Sequence, residues 1–232
     1  MTDARLGPGS TVGPGRPYRD RDSLVAEIQG FLRTHGARIA DDNRRISVYF
    51  EILVFHHCVQ YYAARGFTVV PRGVAPRGDG ERTFRHKCGP EGSPDNFSYF
   101  RASRATGAAD EVLEVRQNVR TAATYDDTVL YTPDVVVLRE GSIRTVTRLD
   151  YRRGERALHF AGNGGLVTFV EAKHMAPFPE LIATFVGLAY ELCPEYLRTQ
   201  VPSGDHLAPA LAVSGAPNAP MEALGACPSI RR

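Results

Sequence analysis

The chain has no large excess of charge of either sign. Its 28 Lys and Arg stand against 26 Asp and Glu, a net charge of +2 over 232 residues. That balance excludes a histone-like polycation and confines any contact with a polyanion to a local basic patch. Cysteine is scarce as well: Cys58, Cys88, Cys193 and Cys227 lie far apart and form no CxxC pair. A chain of this length can bury one core without disulfide staples, so the usage fits a reducing compartment. No run approaches the roughly eighteen apolar residues of a membrane span. The opening stretch, MTDARLGPGSTVGPGRPYRD, has no apolar segment that would act as a secretory leader. A soluble, cytoplasmic protein is expected. Nucleophile motifs are missing too. There is no GxSxG, and GNGG (162–165) precedes a strand instead of a helix, so it is a turn and not a phosphate cradle.

What is present reads as one α/β domain over 20–232, after a Gly, Pro and Arg rich tail at 1–19 that is expected to be disordered. Leu24, Ile28 and Leu32 predict a helix from Asp22 to about Thr34. Asp41 and Asp42 offer caps for a longer helix ending at Gly66. GFTVVP (66–71) reads as a strand. From 72 to 109 the chain reads as a loop-rich insertion, holding at most a strand pair near ERTFRHK and NFSYFRA. DEVLEVRQNVRT and VLYTPDVVVL follow as strands, the second apolar on both faces and therefore central in a mixed sheet. Residues 139–164 read as a hairpin excursion, and LVTFVEAKH (166–174) as the next strand. Phe178, Leu181, Ile182, Phe185, Leu188, Ala189 and Leu192 predict one buried stripe on a helix over 178–193. LAPALAV (207–213) is a last strand, with a short helix near Met221–Leu224.

Charges in apolar company carry the chemistry. Such groups are costly to bury unless they pair or bind a metal. Asp134 lies inside LYTPDVVVL, where alternation puts it with Thr132, Val136 and Leu138. Glu171 and Lys173 lie inside VTFVEAKH and share a face with Val167 and Phe169. Glu51 emerges from the helical stripe of Val48, Phe55, Cys58 and Tyr62. Three buried carboxylates beside one lysine call for a further cation.

Pro133-Asp134 followed by Glu171-Ala172-Lys173 resembles the PD-(D/E)xK signature of restriction-endonuclease-like nucleases. Glu51 on a helix before the sheet, the strand DEVLEVRQNV and the helix after Lys173 fit the same pattern, over roughly 42–213. The resemblance implies an αβββαβ core and an Mg²⁺-dependent endonuclease of restriction or antiviral defence, with Mn²⁺ as substitute ion. It implies metal held by Asp134, Glu171, the Ala172 carbonyl and Glu51, with Lys173 beside the attacking water. It also implies a nucleic-acid substrate, DNA first, and 5′-phosphate and 3′-hydroxyl products.

Substrate grip is expected from Arg72, Arg77, Arg82 and Arg85, with Gln117 on a central strand. A homodimer or a partner subunit would supply target choice, because nothing outside the core is large enough to be a recognition domain.

Against this, Asp134 would merely cap a turn, Glu171 and Lys173 would pair on an exposed edge, and Glu51 would snorkel. A second function class is a catalytically silent scaffold subunit with the same fold. Zinc is disfavoured, since His56 and His57 point about 100° apart on a helix and His86 with Cys88 lack two further ligands.

Overall fold

A computed structural model of the chain describes residues 20–40, 44–76, 82–107, 110–145, 159–197 and 206–216. The expected tail at 1–19, the caps Asp41 and Asp42, and the helix near Met221–Leu224 lie outside those residues, as does the middle of the 139–164 excursion.

Helix α1 (Arg21–Thr34) starts where the Asp20 carboxylate accepts from the Ser23 amide, and it buries Leu24, Ile28 and Leu32. Strand β1 (Ala37–Ile39) leads to helix α2 (Ile46–Ala64), which begins four residues after the expected caps, with Arg45 as an N-cap that makes no side-chain bond. Gly66, at φ 83°, ends α2 in the left-handed region that glycine adopts without strain, and Phe67 donates back to the Tyr62 carbonyl.

Next come β2 (Thr68–Arg72), β3 (Ala75–Pro76) and β4 (Arg82–Phe84). They are followed by β5 (Tyr99–Ala105), β6 (Asp110–Gln117), β7 (Arg120–Ala122) and β8 (Leu130–Tyr131). The chain continues with β9 (Val135–Arg139), β10 (Ile143–Arg144), β11 (Phe160–Ala161) and β12 (Leu166–Lys173). Helix α3 (Pro179–Leu192) and β13 (Ala210–Val213) complete the described α-helices and strands.

The architecture is mixed α/β. A six-stranded sheet runs β13-β12-β9-β6-β5-β2, with β13 parallel to β12 and every other neighbouring pair antiparallel. One face packs on α1 and α2 through Leu113, Val115, Val135, Val137 and Val170. The other meets α3 through Val136, Leu138 and Phe169. Each such fully buried side chain stabilises the fold by about 1.5–3 kcal/mol relative to exposure. Two small sheets, β1-β4-β3 and β10-β11-β7-β8, flank the main one.

Several expectations are corrected. NFSYFRA is not half of a loop hairpin: β5 is a seven-residue strand of the central sheet between β2 and β6, while β4 pairs with β1 and β3. VLYTPDVVVL is two strands, because Pro133 has no N–H to donate and the chain crosses there from one sheet to another. DEVLEVRQNVRT breaks likewise at Asn118, whose φ is 50°. Val167 does not share a face with Phe169. A bulge between Leu166 and Thr168 turns it to the α2 side. On α3 only Leu181, Ala189 and Leu192 of the predicted stripe are fully buried.

Candidate active site at the ends of two central strands

Strands β9 and β12 align Val135 with Val170. Beyond that pair β9 is replaced by Pro133 and Asp134, so the Ala172 amide has no ladder partner there. The Asp134 side chain takes its place: Oδ2 accepts from Ala172 N at 2.8 Å and from Lys173 Nζ at 3.0 Å. Lys173 Nζ also lies 2.8 Å from Glu171 Oε2. Two carboxylates that are 37 residues apart in sequence thus grip one ammonium. The Asp134 carbonyl accepts from Asn118 N at 3.1 Å, which ties this corner to the end of β6.

The strand end is fixed from the far side as well. Val213 pairs with Lys173, Ser214 N donates to the Lys173 carbonyl, and Gly215 N donates to the Met175 carbonyl. Glu171 and Lys173 take the face of Phe169, whose ring packs 5.8 Å from that of Phe185 on α3. Ala172 and Val170 point into the core below α2. The Phe50 ring of α2 lies tilted, 5.6 Å from that of His174, bringing the first turns of that helix to the site.

Glu51 follows Phe50. Burial pushes its carboxyl up to about 7, and the negative charges of Asp134 and Glu171 add to the effect against the opposing pull of Lys173. Burial and the neighbouring Asp134 charge also raise Glu171, with Lys173 opposing. Burial draws Lys173 down, but its bond to Glu171 and the charges of Asp134 and Glu171 outweigh this and hold it protonated. The corner therefore contains three acids for one base and carries unneutralised negative potential.

No family model, curated protein or solved structure matches this chain. Its chemistry must be read from the geometry.

Among the described residues no three His, Cys, Asp or Glu side chains form a group that could hold a metal as they stand, and the ammonium spans Asp134 and Glu171. The donor set nevertheless suits a hard divalent cation. Its groups are carboxylate and main-chain carbonyl oxygens, and the acids outnumber the base. A cation there would offset both the burial and the neighbouring negative charge that raise the Glu51 carboxyl.

The remaining candidates scatter. Arg72 ends β2, exposed, and pairs in register with Tyr99 on the sheet face that carries Glu171. Arg82 is exposed in the small β1-β4-β3 sheet, Arg85 lies over the Phe97 ring at 6.0 Å, and Arg77 falls outside the described residues. Gln117 lies on the core side of the sheet. It is buried, and its Oε1 meets His86 Nδ1 at 2.6 Å, because its side chain alternates to the α2 side. His86, pushed down to about 3 chiefly by burial, and His56, held well below the usual histidine range by burial and by His86, are neutral core rings.

Sequence reasoning missed Arg116. It is buried, donates to Glu114 Oε2 at 2.7 Å, and lies 3.6 Å over the Tyr99 ring. Register places it beside Val136, and Val136 beside Phe169, on the face of Glu171 and Lys173. The alternation of DEVLEVRQ already put Glu114 and Arg116 on one side. That this side joins the acid cluster required the strand pairing.

Proposed function

We propose that this chain is a metal-dependent phosphodiesterase that cleaves nucleic-acid backbone, DNA first, at the corner formed by Asp134, Glu171, Lys173 and Glu51. The observation that carries the proposal is the grip of two sequence-distant carboxylates on one ammonium, with a third acid held near neutrality beside them. The order of elements supports it: a helix (α2), the antiparallel trio β6-β9-β12, a helix (α3), then β13 parallel to β12. That is the αβββαβ succession expected of a restriction-endonuclease-like core, with β2 and β5 widening the sheet.

Asp134, Glu171, the Ala172 carbonyl and Glu51 would hold an Mg²⁺ or Mn²⁺ ion. When bound, such an ion polarises a phosphoryl oxygen and makes water nucleophilic at neutral pH. The chain's own groups do the rest. Lys173 remains charged at all working pH values and offers a compact cation to the negative charge that grows on the phosphorus oxygens. Glu51, part-buried beside Asp134 and Glu171, would bind the ion directly or through water. The bond from Ala172 N fixes the orientation of the Asp134 carboxylate.

One observation favours a second reading, a silent nucleic-acid-binding or scaffold subunit: Lys173 already satisfies both acids, and no three-ligand group stands assembled. The two are separated by plasmid cleavage with Mg²⁺ or Mn²⁺, comparing the wild-type chain with Asp134→Ala and Lys173→Ala. Cleavage by the wild type and loss of about 10²–10³-fold in each folded variant is expected. Equal activity in all three would remove the proposed site. No cleavage by the wild type, together with no gain in melting temperature on adding Mg²⁺, would leave the scaffold.

A further inference from the structure

The small sheet β10-β11-β7-β8 buries one of its faces. Ile143 and Ala161 on that face pack into the cluster beside α3, and Thr121, paired with Ala161, is fully buried. Alternation turns the residues next to them outward. Register then sets Arg144 of β10 beside Phe160 of β11, and Phe160 beside Arg120 of β7. The Arg144 guanidinium lies 5.9 Å from the centre of the Phe160 ring, on the same side of the sheet. Two strand spacings of about 4.8 Å put the arginines about 10 Å apart, with an aromatic ring between them.

The fold does not neutralise these cations. Among the described residues Arg144 makes no ion pair, and the acid that reaches Arg120 is Glu91, 3.9 Å away with a side chain 92% exposed. A pair that open to water is worth little. Near Arg120 lies Lys87, a buried residue whose ammonium donates to the Gly89 carbonyl. Burial draws Lys87 down to about 8, and the charge of Arg120 adds to the fall against the pull of Glu91. This side of the molecule therefore carries uncompensated positive potential.

It also adjoins the acid corner. Asn118, two residues before Arg120, donates its main-chain N–H to the Asp134 carbonyl and its side-chain amide to the Lys87 carbonyl. Strand β8, paired with β7, runs on through Thr132 and Pro133 into Asp134.

We propose that the outer face of β10-β11-β7 is a docking platform for single-stranded DNA, with a base stacked on Phe160, phosphates on Arg120 and Arg144, and the strand continuing to the acid corner. The charge selects a polyanion, and arginine's planar fork suits phosphate oxygens. The ring between the arginines selects a polyanion with open flat faces. A duplex offers its phosphates but keeps its base faces stacked, and an acidic peptide would leave the ring unused. The choice of DNA rests on the nuclease reading above, whereas the demand for an unpaired strand rests on Phe160.

Fluorescence anisotropy of the full chain tests this in buffer without divalent ions. The probe is a labelled oligodeoxynucleotide of about 16 nucleotides, alone or annealed to its complement. The single strand should bind at least about tenfold more tightly than the duplex. Phe160→Ala should remove about tenfold of the single-strand affinity and leave the duplex unaffected, while Phe160→Trp, which keeps a stacking face, should bind as wild type does. Arg120→Gln and Arg144→Gln should each lower the slope of log affinity against log salt by about 0.7, the value for one phosphate contact on a single strand. Arg144 is exposed, so its variant decides the matter even where Phe160→Ala does not fold. Equal affinity for the two forms, an unchanged salt slope in both arginine variants, or single-strand binding that survives Phe160→Ala would each overturn the platform. Without metal, binding and cleavage are read apart. A chain that binds single strands in this way but never cuts them, metal supplied, sinks the nuclease reading and keeps the platform; one that cuts DNA yet binds it without help from Phe160 does the reverse.

Discussion

Glu51→Gln should stabilise the protein at alkaline pH and leave it unchanged at acid pH. At about pH 4 the Glu51 carboxyl is protonated in folded and unfolded chains alike, so it does not affect stability. From its ordinary value of 4.5 up to about 7 the unfolded chain ionises it and the folded chain does not, so stability falls as pH rises through that window. Above about 7 the folded chain carries the full unfavourable difference. At about 1.4 kcal/mol for each pH unit this amounts to about 3 kcal/mol, and because Glu51 is only part buried, solvent screening reduces it to about 2 kcal/mol. Glutamine keeps the shape and removes the charge. Thermal unfolding of both proteins at about pH 4 and about pH 8 should show no difference at the first and a rise of about 4–8 °C in the variant at the second. The same gain at both pH values, or no gain at about pH 8, would refute the account of Glu51 as a carboxyl raised by burial and neighbouring negative charge. Saturating Mg²⁺ should narrow the difference, since a bound cation stabilises only the wild-type carboxylate fully; at a hundredfold excess over its dissociation constant the linkage is worth about 2.7 kcal/mol.

Lys173→Met removes the cation that opposes the rise of Glu51, so the window in which stability is lost should keep its lower end and extend upward, as pH-dependent melting will show. Arg116→Ala leaves the Glu114 carboxylate buried without its partner, and urea unfolding should report a loss of about 3 kcal/mol or more. The paired change Glu114→Gln with Arg116→Met should recover most of it, and a single variant within about 1 kcal/mol of wild type would show the pair to be dispensable. Gly215→Ala would set a Cβ 2.6 Å from Ala176 Cα and 2.7 Å from Ala176 N, main-chain atoms that cannot swing aside. We expect a loss of about 1–3 kcal/mol and reduced cleavage, because Gly215 N holds the turn that follows Lys173.

Much of the fold was legible before any coordinates. The 3.6-residue spacing of Leu24, Ile28 and Leu32 and the β-branched runs around Val135–Val137 and Val167–Val170 are local consequences of burying one stripe or two faces. The errors share a cause. Pro133 and Asn118 break apolar runs that continue in sequence, so one predicted strand became two in different sheets. The 72–109 region looked like loop because its Gly and Pro concealed β5, whose strand character comes from pairing on both sides. Arg116 was missed, and the burial of Gln117 not foreseen, for the same reason, since partners in other strands decide which face meets the core and which meets the cluster.

The chain order alone determined that Asp134, Glu171, Lys173 and Glu51 would each sit in apolar surroundings, because side-chain period and hydrophobic run are properties of neighbours along the backbone. Only the folded sheet decided that they meet. The antiparallel register of Val135 with Val170 sets Asp134 against the amide of Ala172, and the packing of α2 sets Glu51 within reach of both charges. Register and helix packing depend on contacts between residues far apart in sequence, and those distances no one-dimensional pattern contains.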